Sequence, residues 1–306
     1  QERLLMGLFS PDNFLDAILN FIVFEAEDGR LIKKLARYQQ FRAVQKVVRR
    51  LKSGSERKEK SGVVWHTQGS GKSLTMVMLA VKMRRDPELM DYKLVFVTDR
   101  TQLDSQLSKT FRAAQRETIH NASSVSDLRK LLSNDASDIV TATVQKFQDA
   151  EKEQGFTNLN TSDRVVVLAD EAHRTQFGNL AATISAALPN APKIGFTGTP
   201  LLKTQKMDQA FGGYIDQYKI NEAVDDGATV RILYEGRQVS TEVVGESLDS
   251  LFNEYFQDYD AQAKQEIKKT YGVERAVREA PARIRQICID LLEHYRERIE
   301  PNGFKE

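Results

Sequence analysis

Cysteine is almost absent from this 306-residue sequence, in which Cys288 is the sole example. One cysteine excludes an intrachain disulfide and a cysteine-ligated zinc site, and it leads us to expect a reducing, cytoplasmic environment. The longest mainly apolar stretch, residues 74–81, is far shorter than the ~20 residues of a membrane span, so no membrane association is expected. Because residues 1–3 do not begin a signal peptide and an initiator methionine is missing, we expect the sequence to start inside a larger polypeptide.

Neither sign of charge predominates. The sequence has 44 lysines and arginines against 43 aspartates and glutamates, which gives a formal net charge of +1. This balance excludes a histone-like protein that binds nucleic acid by charge alone, but it allows a protein that grips a phosphate backbone in one basic groove. The length suits one large α/β lobe together with part of another.

Apolar strands alternate with helices between residues 62 and 196. Strands are predicted at residues 62–66, 93–98, 118–121, 138–143, 164–169 and 193–196. Helices are predicted at residues 72–85, 102–115, 125–132 and 179–187. Strands that are apolar at successive positions are buried on both faces, so the pattern predicts an α/β fold whose parallel sheet is covered by helices on each side.

The regions on either side of this alternation are predicted to be mainly helical. Residues 1–36 have apolar side chains at helical spacing and predict a helical N-terminal extension. Residues 52–61 are strongly charged and predict an exposed loop. We expect one lobe over residues 37–218, then a linker and the incomplete start of a second lobe over residues 219–306, of which residues 246–298 are largely helical.

A glycine-rich segment lies where a phosphate-binding loop would lie, between a predicted strand and a predicted helix. Glycines allow the backbone to wrap around an anion, and N–H groups at a helix start point at it. Lys72 is expected to reach the β- and γ-phosphates, and the Ser73 hydroxyl to bind Mg²⁺. The predicted nucleotide-binding residues of this segment are Gln68, Gly69, Ser70, Gly71, Lys72, Ser73 and Leu74. The alternative, a chance turn, does not explain why Lys72 and Ser73 stand in register.

Two acidic residues follow the most apolar predicted strand. Carboxylates at the carboxyl end of a parallel strand face the crevice in which α/β sheets bind ligands. Asp170 is therefore expected to hold Mg²⁺, and Glu171 to polarise the water that attacks the γ-phosphate. The alternative for this pair is a solvated strand end. Residues 197–200, Thr-Gly-Thr-Pro, follow another buried strand and in isolation indicate a turn.

The order of these motifs resembles the first RecA-like lobe of superfamily 2 helicases and translocases. The detailed sequences of the motifs resemble those of the motor (restriction, R) subunit of type I restriction-modification enzymes. The segments that carry this resemblance are residues 37–44, 65–76, 97–100, 143–147, 170–174 and 223–230. His66 replaces the first glycine of the longer G-x-x-x-x-G-K-[ST] pattern, and the shorter form that remains is common in helicase-like motors. The resemblance implies a RecA-like P-loop parallel sheet, ATP and Mg²⁺ as cofactors, and ATP-driven translocation on double-stranded DNA.

The resemblance also implies roles for single residues. Gln40 would read the adenine, with Gln39 as the weaker candidate; an ordinary surface glutamine is the alternative. The residues implied to face DNA are Asp99, Arg100, Thr143, Gln145 and Lys146, the last three in a loop. The residues implied to couple nucleotide state to movement of a second lobe are His173, Thr197 and Thr199. Expected partners are double-stranded DNA and the methyltransferase and specificity subunits of a restriction complex.

Two parts of such enzymes are not recognised in this sequence. Arg237 lacks the Gln-x-x-Gly-Arg-x-x-Arg setting of the second-lobe arginine, and no other segment of residues 238–306 supplies it. Residues 11–12 and 56–58 match letters of a PD-(D/E)-x-K nuclease, but not on the required strands. We therefore expect this chain to bind Mg²⁺ and ATP, to hydrolyse ATP slowly at best, and not to cut DNA. The alternatives are another superfamily 2 helicase or translocase, a P-loop nucleotide kinase, and a non-catalytic DNA-binding scaffold.

Overall fold

The computed structural model describes residues 7, 9–27, 30–98, 119–151, 155–170, 177–199, 211–231, 236, 256–271 and 281–302. The chain divides into two compact units, residues 1–231 and residues 232–306. The lobe boundary predicted at residue 218 therefore lies inside the first unit.

The strands described all lie in the first unit. They are β1 Ile22–Glu27, β2 Arg30–Leu35, β3 Gly62–His66, β4 Lys93–Val97, β5 Ile119–Asn121, β6 Ile139–Ala142, β7 Val165–Asp170, β8 Lys193–Thr197 and β9 Tyr214–Tyr218. β1 and β2 pair as an antiparallel hairpin. The other strands form one parallel sheet in the order β5-β6-β4-β7-β8-β3-β9.

Helices surround this sheet and also make up most of what is described of the second unit. In the first unit they are α1 Pro11–Asn20, α2 Tyr38–Ser53, α3 Arg57–Lys60, α4 Lys72–Arg85, α5 Val125–Ser133, α6 Val144–Glu151, α7 Phe177–Ala187 and α8 Ile220–Asp225. In the second unit they are α9 Ala261–Tyr271 and α10 Pro281–His294, followed by a π-helical turn, Tyr295–Ile299, and a 3-10 turn, Glu300–Asn302. Within the described ranges, no helix is both long and apolar enough to cross a membrane.

The sheet is buried on both faces, as its apolar strands predict. In β7, Val166 and Leu168 point into a core shared with α2 and α4. Val165 and Val167 point the other way, into a second core shared with α5, α6 and α7. Burying a side chain of this size is worth about 1.5–3 kcal/mol. The predicted fold class, a RecA-like P-loop parallel sheet with helices on both faces, is confirmed.

Most predicted elements of the sheet lie close to their observed bounds. The strand at residues 62–66 and the helix at residues 72–85 have the bounds that were predicted. The helix predicted at residues 102–115 lies outside the described residues. The edge strand β9 was not predicted, because its sequence, Tyr-Ile-Asp-Gln-Tyr, lacks the continuous apolar run of the central strands.

The prediction of a helical N-terminal extension is only partly right. Helix α1 is present, but residues 22–35 form the β1–β2 hairpin instead of a helix. Val23 is buried whereas its neighbour Phe24 is exposed, which is strand alternation and not helical spacing. The sequence Asp28-Gly29 between the two strands is typical of hairpin connections and could have indicated this hairpin.

The exposed loop predicted at residues 52–61 is also wrong in part. Helix α2 continues to Ser53, and the short helix α3 occupies Arg57–Lys60. The Glu59 carboxylate accepts a hydrogen bond from the backbone N–H of Ser55 at 2.8 Å, close to the start of this helix. A side chain that satisfies backbone N–H groups near a helix start stabilises even a single turn.

Lys193, at the start of β8, is a buried cation. Its Nζ donates hydrogen bonds to the backbone oxygen of Ala181, at 3.2 Å, and to the Ser185 hydroxyl, both on α7. Burial, together with the positive charge of Arg57, lowers the pKa of Lys193 to about 8. The folded protein therefore holds the proton of Lys193 less tightly than the unfolded chain does.

This pKa predicts a pH dependence of stability. Between about pH 8 and the ordinary lysine pKa of 10.5, the unfolded state binds more protons at Lys193, so stability should rise with pH over this window. In Lys193→Met this contribution is removed, and the variant-minus-wild-type difference in free energy of unfolding should fall as the pH is raised. Urea unfolding across the window measures it, with the exposed Lys58→Met as the matched control. A Lys193→Met difference that does not change with pH would contradict the assignment.

Candidate functional site

Three predicted motifs meet at one edge of the sheet. Strand β8 lies between β7 and β3, with Asp170 opposite Phe196 on one side and Trp65 opposite Thr197 on the other. All three strands are parallel, so their carboxyl ends share this edge. This arrangement brings together Asp170, the Thr-Gly-Thr segment and the loop of residues 67–71 that follows His66, as the motif order predicts. We call residues 67–71 the phosphate loop.

The phosphate loop has the backbone of an anion cradle. Gly69 and Gly71 have φ values of 79° and 83°, in the left-handed region that favours glycine. Gly71 is the N-cap of α4, which begins at Lys72. Inside the loop, both the backbone N–H and the hydroxyl of Ser70 donate to the Thr67 carbonyl, at 3.3 and 2.7 Å. The positive end of the α4 dipole therefore opens directly onto the loop.

Gln40, on α2, is in contact with this loop. Its Nε2 donates to the backbone oxygen of Gly71 at 3.0 Å, and its Oε1 accepts from the backbone N–H of Arg37 at 2.9 Å. A Cβ atom added at Gly71 would lie 2.6 Å from Gln40 Nε2. Gln40 is buried, so the alternative of an ordinary surface glutamine is wrong. Its predicted role in reading adenine stays a prediction.

A groove of about 340 Å³ runs beside the loop. Its lining residues are Lys34, Leu35, Arg37, Gln40, Gly69, Ser70, Gly71 and Leu74. The β2 strand of the hairpin thus forms one wall, and the phosphate loop forms another. A concave site lined by two leucines, one amide group and the cationic residues Lys34 and Arg37 is suited to a nucleotide.

The side chain of Lys72 lies between the loop and the Thr-Gly-Thr segment. Its Nζ donates to the His66 carbonyl at 3.3 Å, and a Cβ added at Gly198 would lie 3.1 Å from that Nζ. The same Cβ would lie 3.0 Å from Gln68 Cγ, and Trp65 Nε1 donates to the Gly198 carbonyl at 3.3 Å. The segment after β8 therefore packs directly on the phosphate loop.

Oxygen ligands for Mg²⁺ are present at this edge. Asp170 is buried at the end of β7, and Ser73 is the second residue of α4. A carboxylate and a hydroxyl are hard oxygen donors, which fit a Mg²⁺ ion that keeps several waters and binds substrate phosphates. These residues fit the predicted metal, and their roles stay predictions.

The remaining predicted coupling and catalytic residues are only partly described. Glu171 and His173 lie outside the described residues. Thr197 is buried at the end of β8, and its hydroxyl accepts from the backbone N–H of Thr199 at 3.3 Å. This bond tightens the turn after β8, where the coupling role is predicted.

The predicted DNA-facing residues differ from expectation in their local structure. Thr143 precedes α6, and Gln145 and Lys146 lie in the first turn of this helix and not in a loop. The backbone N–H of Lys146 donates to the carbonyl and the hydroxyl of Thr143, at 3.1 and 3.4 Å. Threonine is a favourable residue before a helix because its oxygen satisfies such N–H groups. Asp99 and Arg100 lie outside the described residues.

The sequence did not reveal a buried ion-pair cluster behind the loop. Asp216, on the edge strand β9, accepts from Arg42 Nε and Nη2 at 2.9 and 3.0 Å and from Lys46 Nζ at 2.7 Å. His66 Nε2 lies 2.9 Å from Asp216 Oδ2, the oxygen that also accepts from Arg42 Nη2. Burial by itself raises the pKa of Asp216, but the hydrogen bonds from His66, Arg42 and Lys46 outweigh it and lower the pKa to about 2. Asp216 is thus ionised at neutral pH.

Two tyrosines make a second connection between α2 and β9. Tyr38 and Tyr218 both donate from their hydroxyls to Asp226 Oδ2, at 2.5 and 2.9 Å. Burial, followed by the hydrogen bond to Asp226, raises the pKa of Tyr38 to about 12. No motif in the sequence indicates that Tyr38 meets Asp226, because these two residues are 188 positions apart in the chain.

Comparison with known proteins gives a family. Residues 39–265 match the model of the SWI2/SNF2 ATPase family. The chain is 36% identical to the endonuclease subunit of the type I restriction enzyme HindI from Haemophilus influenzae, over 98% of this chain and 30% of that protein. It is 28% identical to the endonuclease subunit of SauMSSORF170P from Staphylococcus aureus, over 66% of this chain and 22% of that protein.

Solved structures of helicases and ATPases are also similar. The UvsW helicase of bacteriophage T4 is 20% identical, with a TM-score of 0.45, over 68% of this chain and 67% of that one. The SWI2/SNF2 ATPase core of Sulfolobus solfataricus is 17% identical, with a TM-score of 0.43, over 80% of this chain and 45% of that one.

The similarity to one relative extends beyond the ATPase region. The similarity to the HindI subunit extends over nearly all of this chain, although the chain spans only about 30% of that subunit's length. The chain belongs to the SWI2/SNF2 ATPase family and is related to the endonuclease subunits of type I restriction enzymes.

Proposed function

We propose that this chain is the ATP-binding motor lobe of a type I restriction enzyme R subunit, and that it couples ATP hydrolysis to translocation on double-stranded DNA. The observation that carries the proposal is the phosphate loop. Its left-handed Gly71 opens α4, Gln40 bonds the Gly71 carbonyl, and Gly198 abuts Lys72. These contacts join a nucleotide groove to a segment that can respond to the nucleotide.

Binding of ATP is assigned to residues around the groove. The N–H groups of the loop and of the first turn of α4 would receive the phosphates, since both the loop and the helix dipole favour an anion there. Lys72 would exchange its bond to the His66 carbonyl for the β- and γ-phosphates. Gln40 and the wall formed by Leu35 would position the base.

Hydrolysis is assigned to the acidic pair. Ser73 and Asp170 would hold Mg²⁺, which when bound neutralises the charge that develops on the phosphates. Glu171 would orient and polarise the attacking water. Asp170 is buried at the same sheet edge as the loop, which supports this division of roles.

Coupling is assigned to the segment after β8. Loss of the γ-phosphate would release Lys72, and a Cβ added at Gly198 would lie only 3.1 Å from Lys72 Nζ. A shift of Lys72 would therefore be felt by Thr197 and Thr199, whose turn is closed by a hydrogen bond. His173 is assigned the same task.

The DNA and protein partners are proposed from the family. Arg100, Thr143 and Lys146 would contact the DNA backbone. The methyltransferase and specificity subunits would supply target recognition, and the nuclease of the full-length protein would cut DNA. The similarity to the HindI subunit favours this assignment over a general superfamily 2 helicase. A nucleotide kinase would leave the contact of Gly198 with Lys72 without a purpose.

Removal of the Lys72 ammonium tests the proposal most simply. In the full-length protein, double-stranded DNA should raise ATP turnover, and Lys72→Ala should lower the DNA-stimulated rate roughly 10²- to 10³-fold because a charge-stabilising group is lost. Steady-state phosphate release measures both. Lys82→Ala, on the same helix but paired with Asp16 at 2.6 Å, is the matched control and should keep the stimulation. Turnover that is indifferent to DNA, or that survives Lys72→Ala, would refute the proposal.

The chain by itself should hydrolyse ATP slowly. The arginine motif of a second lobe is not recognised in this sequence, and arginines of this kind contribute about 10³- to 10⁵-fold in rate. Phosphate release from the 306-residue chain, compared with the full-length protein at equal concentration, measures the difference. Motor-like turnover by the chain alone would show that the transition-state charge is stabilised by residues within it.

The chain by itself should also leave DNA uncut. Residues 11–12 lie on helix α1 and residues 57–58 on helix α3, so neither match to the nuclease pattern lies on a strand. Supercoiled plasmid incubated with Mg²⁺ and the chain should remain supercoiled, as judged on an agarose gel. Robust nicking that depends on both Mg²⁺ and the chain would contradict this expectation.

A further inference from the structure

Both ends of the phosphate loop are connected to helix α2. At the end of the loop, Gln40 donates to the Gly71 carbonyl. At its beginning, His66 contacts Asp216, and Arg42 and Lys46 of α2 hold that same carboxylate. The loop therefore spans two fixed points that share one helix.

The strand β9 adds a further bond at the beginning of the loop. The backbone N–H of Thr67 donates to the Tyr218 carbonyl at 2.9 Å, and the rings of His66 and Tyr218 meet edge to face at 5.7 Å. Asp216 and Tyr218 thus hold adjacent loop residues from the same strand. Neither of these β9 residues belongs to the motifs that indicate nucleotide binding.

We propose that Asp216 is a positioning residue for phosphate binding, acting through His66. The carboxylate would fix the His66 ring and thereby the point at which the loop leaves β3. This inference rests on the proposed function, because it assigns a partner to the same phosphate site. It gives a purpose to the histidine that stands where the longer phosphate-loop pattern has glycine.

The His66 ring depends on Asp216 for its orientation. The ring is fully buried, and within the described part of the chain its Nδ1 has no hydrogen-bond partner. A carboxylate at neutral pH only accepts, so Nε2 carries the hydrogen that points at Asp216. Loss of this acceptor would leave the ring without a hydrogen-bond partner, and water could not reach the buried ring to replace it.

The cations around Asp216 are less dependent on it. The side chains of Arg42 and Lys46 are 35% and 46% exposed, so solvent can hydrate their charges if the carboxylate is removed. His66 has no such access. The effect of removing Asp216 is therefore expected to concentrate at the beginning of the phosphate loop.

Preorganisation explains why this position affects binding. The loop holds two glycines in left-handed conformations and gathers N–H groups toward one point. A loop that is already ordered binds phosphate without the entropy cost of becoming ordered. A loop released from His66 would incur this cost. The loss should appear mainly in binding of phosphates and not of the base, because His66 lies at the start of the loop, whereas the base groove is lined by the far end of the loop, residues 69–71, which Gln40 holds in place.

The experiment compares ATP with adenosine as ligands of the full-length protein. Asp216→Leu, which has a similar volume but no acceptor, and His66→Phe should each weaken ATP binding roughly ten- to a hundredfold, which is the value of a hydrogen bond to a charged group. Adenosine, measured by competition, should bind within about twofold of wild type, since it has no phosphate. His66→Gln, whose amide can still donate to Asp216, should restore most of the ATP affinity. Lys52→Ala is the matched control, because Lys52 lies on the same helix as Arg42 and Lys46 and its removal breaks ion pairs with Asp86 and Glu88.

The outcomes separate the inference from the function on which it rests. Wild-type ATP affinity in Asp216→Leu and His66→Phe would overturn the inference alone, and so would a parallel loss of ATP and adenosine binding, which indicates a general structural role. Absence of ATP binding by the wild-type protein would overturn the proposed function together with it. If Asp216→Leu fails to fold, as thermal unfolding would reveal, His66→Phe and His66→Gln decide the question.

Discussion

The backbone of the phosphate loop is the constraint on which the rest of the site depends. The chain has to leave the buried strand β3 and enter α4 within a few residues, and it does so with left-handed glycines at Gly69 and Gly71. That geometry points the first N–H groups of α4 into the loop. It also leaves no space for a side chain at Gly71, because Gln40 is seated against it. The groove, the proposed metal ligands Ser73 and Asp170, and the segment after β8 are all arranged around this turn.

Buried charges hold the elements that carry the loop. Asp216 joins α2, β3 and β9 through one carboxylate that accepts four hydrogen bonds. Removing one partner of a buried charged group is costly because the other partner is left unpaired, whereas a complete cluster fixes geometry. Lys193 shows the opposite situation, since its surroundings offer neutral acceptors and its pKa falls to about 8. The fully paired charged cluster thus lies beside the loop where nucleotide binding is proposed, and it restrains the elements that carry this loop.

The sequence predicted the centre of the sheet well and its margins poorly. Continuous apolar runs such as residues 165–169 are buried on both faces, and this burial makes their strands readable. The hairpin at residues 22–35 and the edge strand β9 have mixed sequences, so tertiary contacts decide their structure. Lys72 was predicted from a local motif and Gln40 from the family resemblance, and the structure shows both beside the phosphate loop while their roles stay predictions. Asp216 was not predicted, because it reaches His66 across 150 residues of chain.

The central claim is that the phosphate loop is already formed before nucleotide binds. Two crystal structures of the full-length protein, one without nucleotide and one with Mg²⁺ and a non-hydrolysable ATP analogue, measure this most directly. The account predicts that the phosphates are held by the N–H groups of residues 69–73, with Gly71 still left-handed and the His66 to Asp216 hydrogen bond intact. Phosphates bound elsewhere, or a loop that has refolded with His66 released from Asp216, would contradict it.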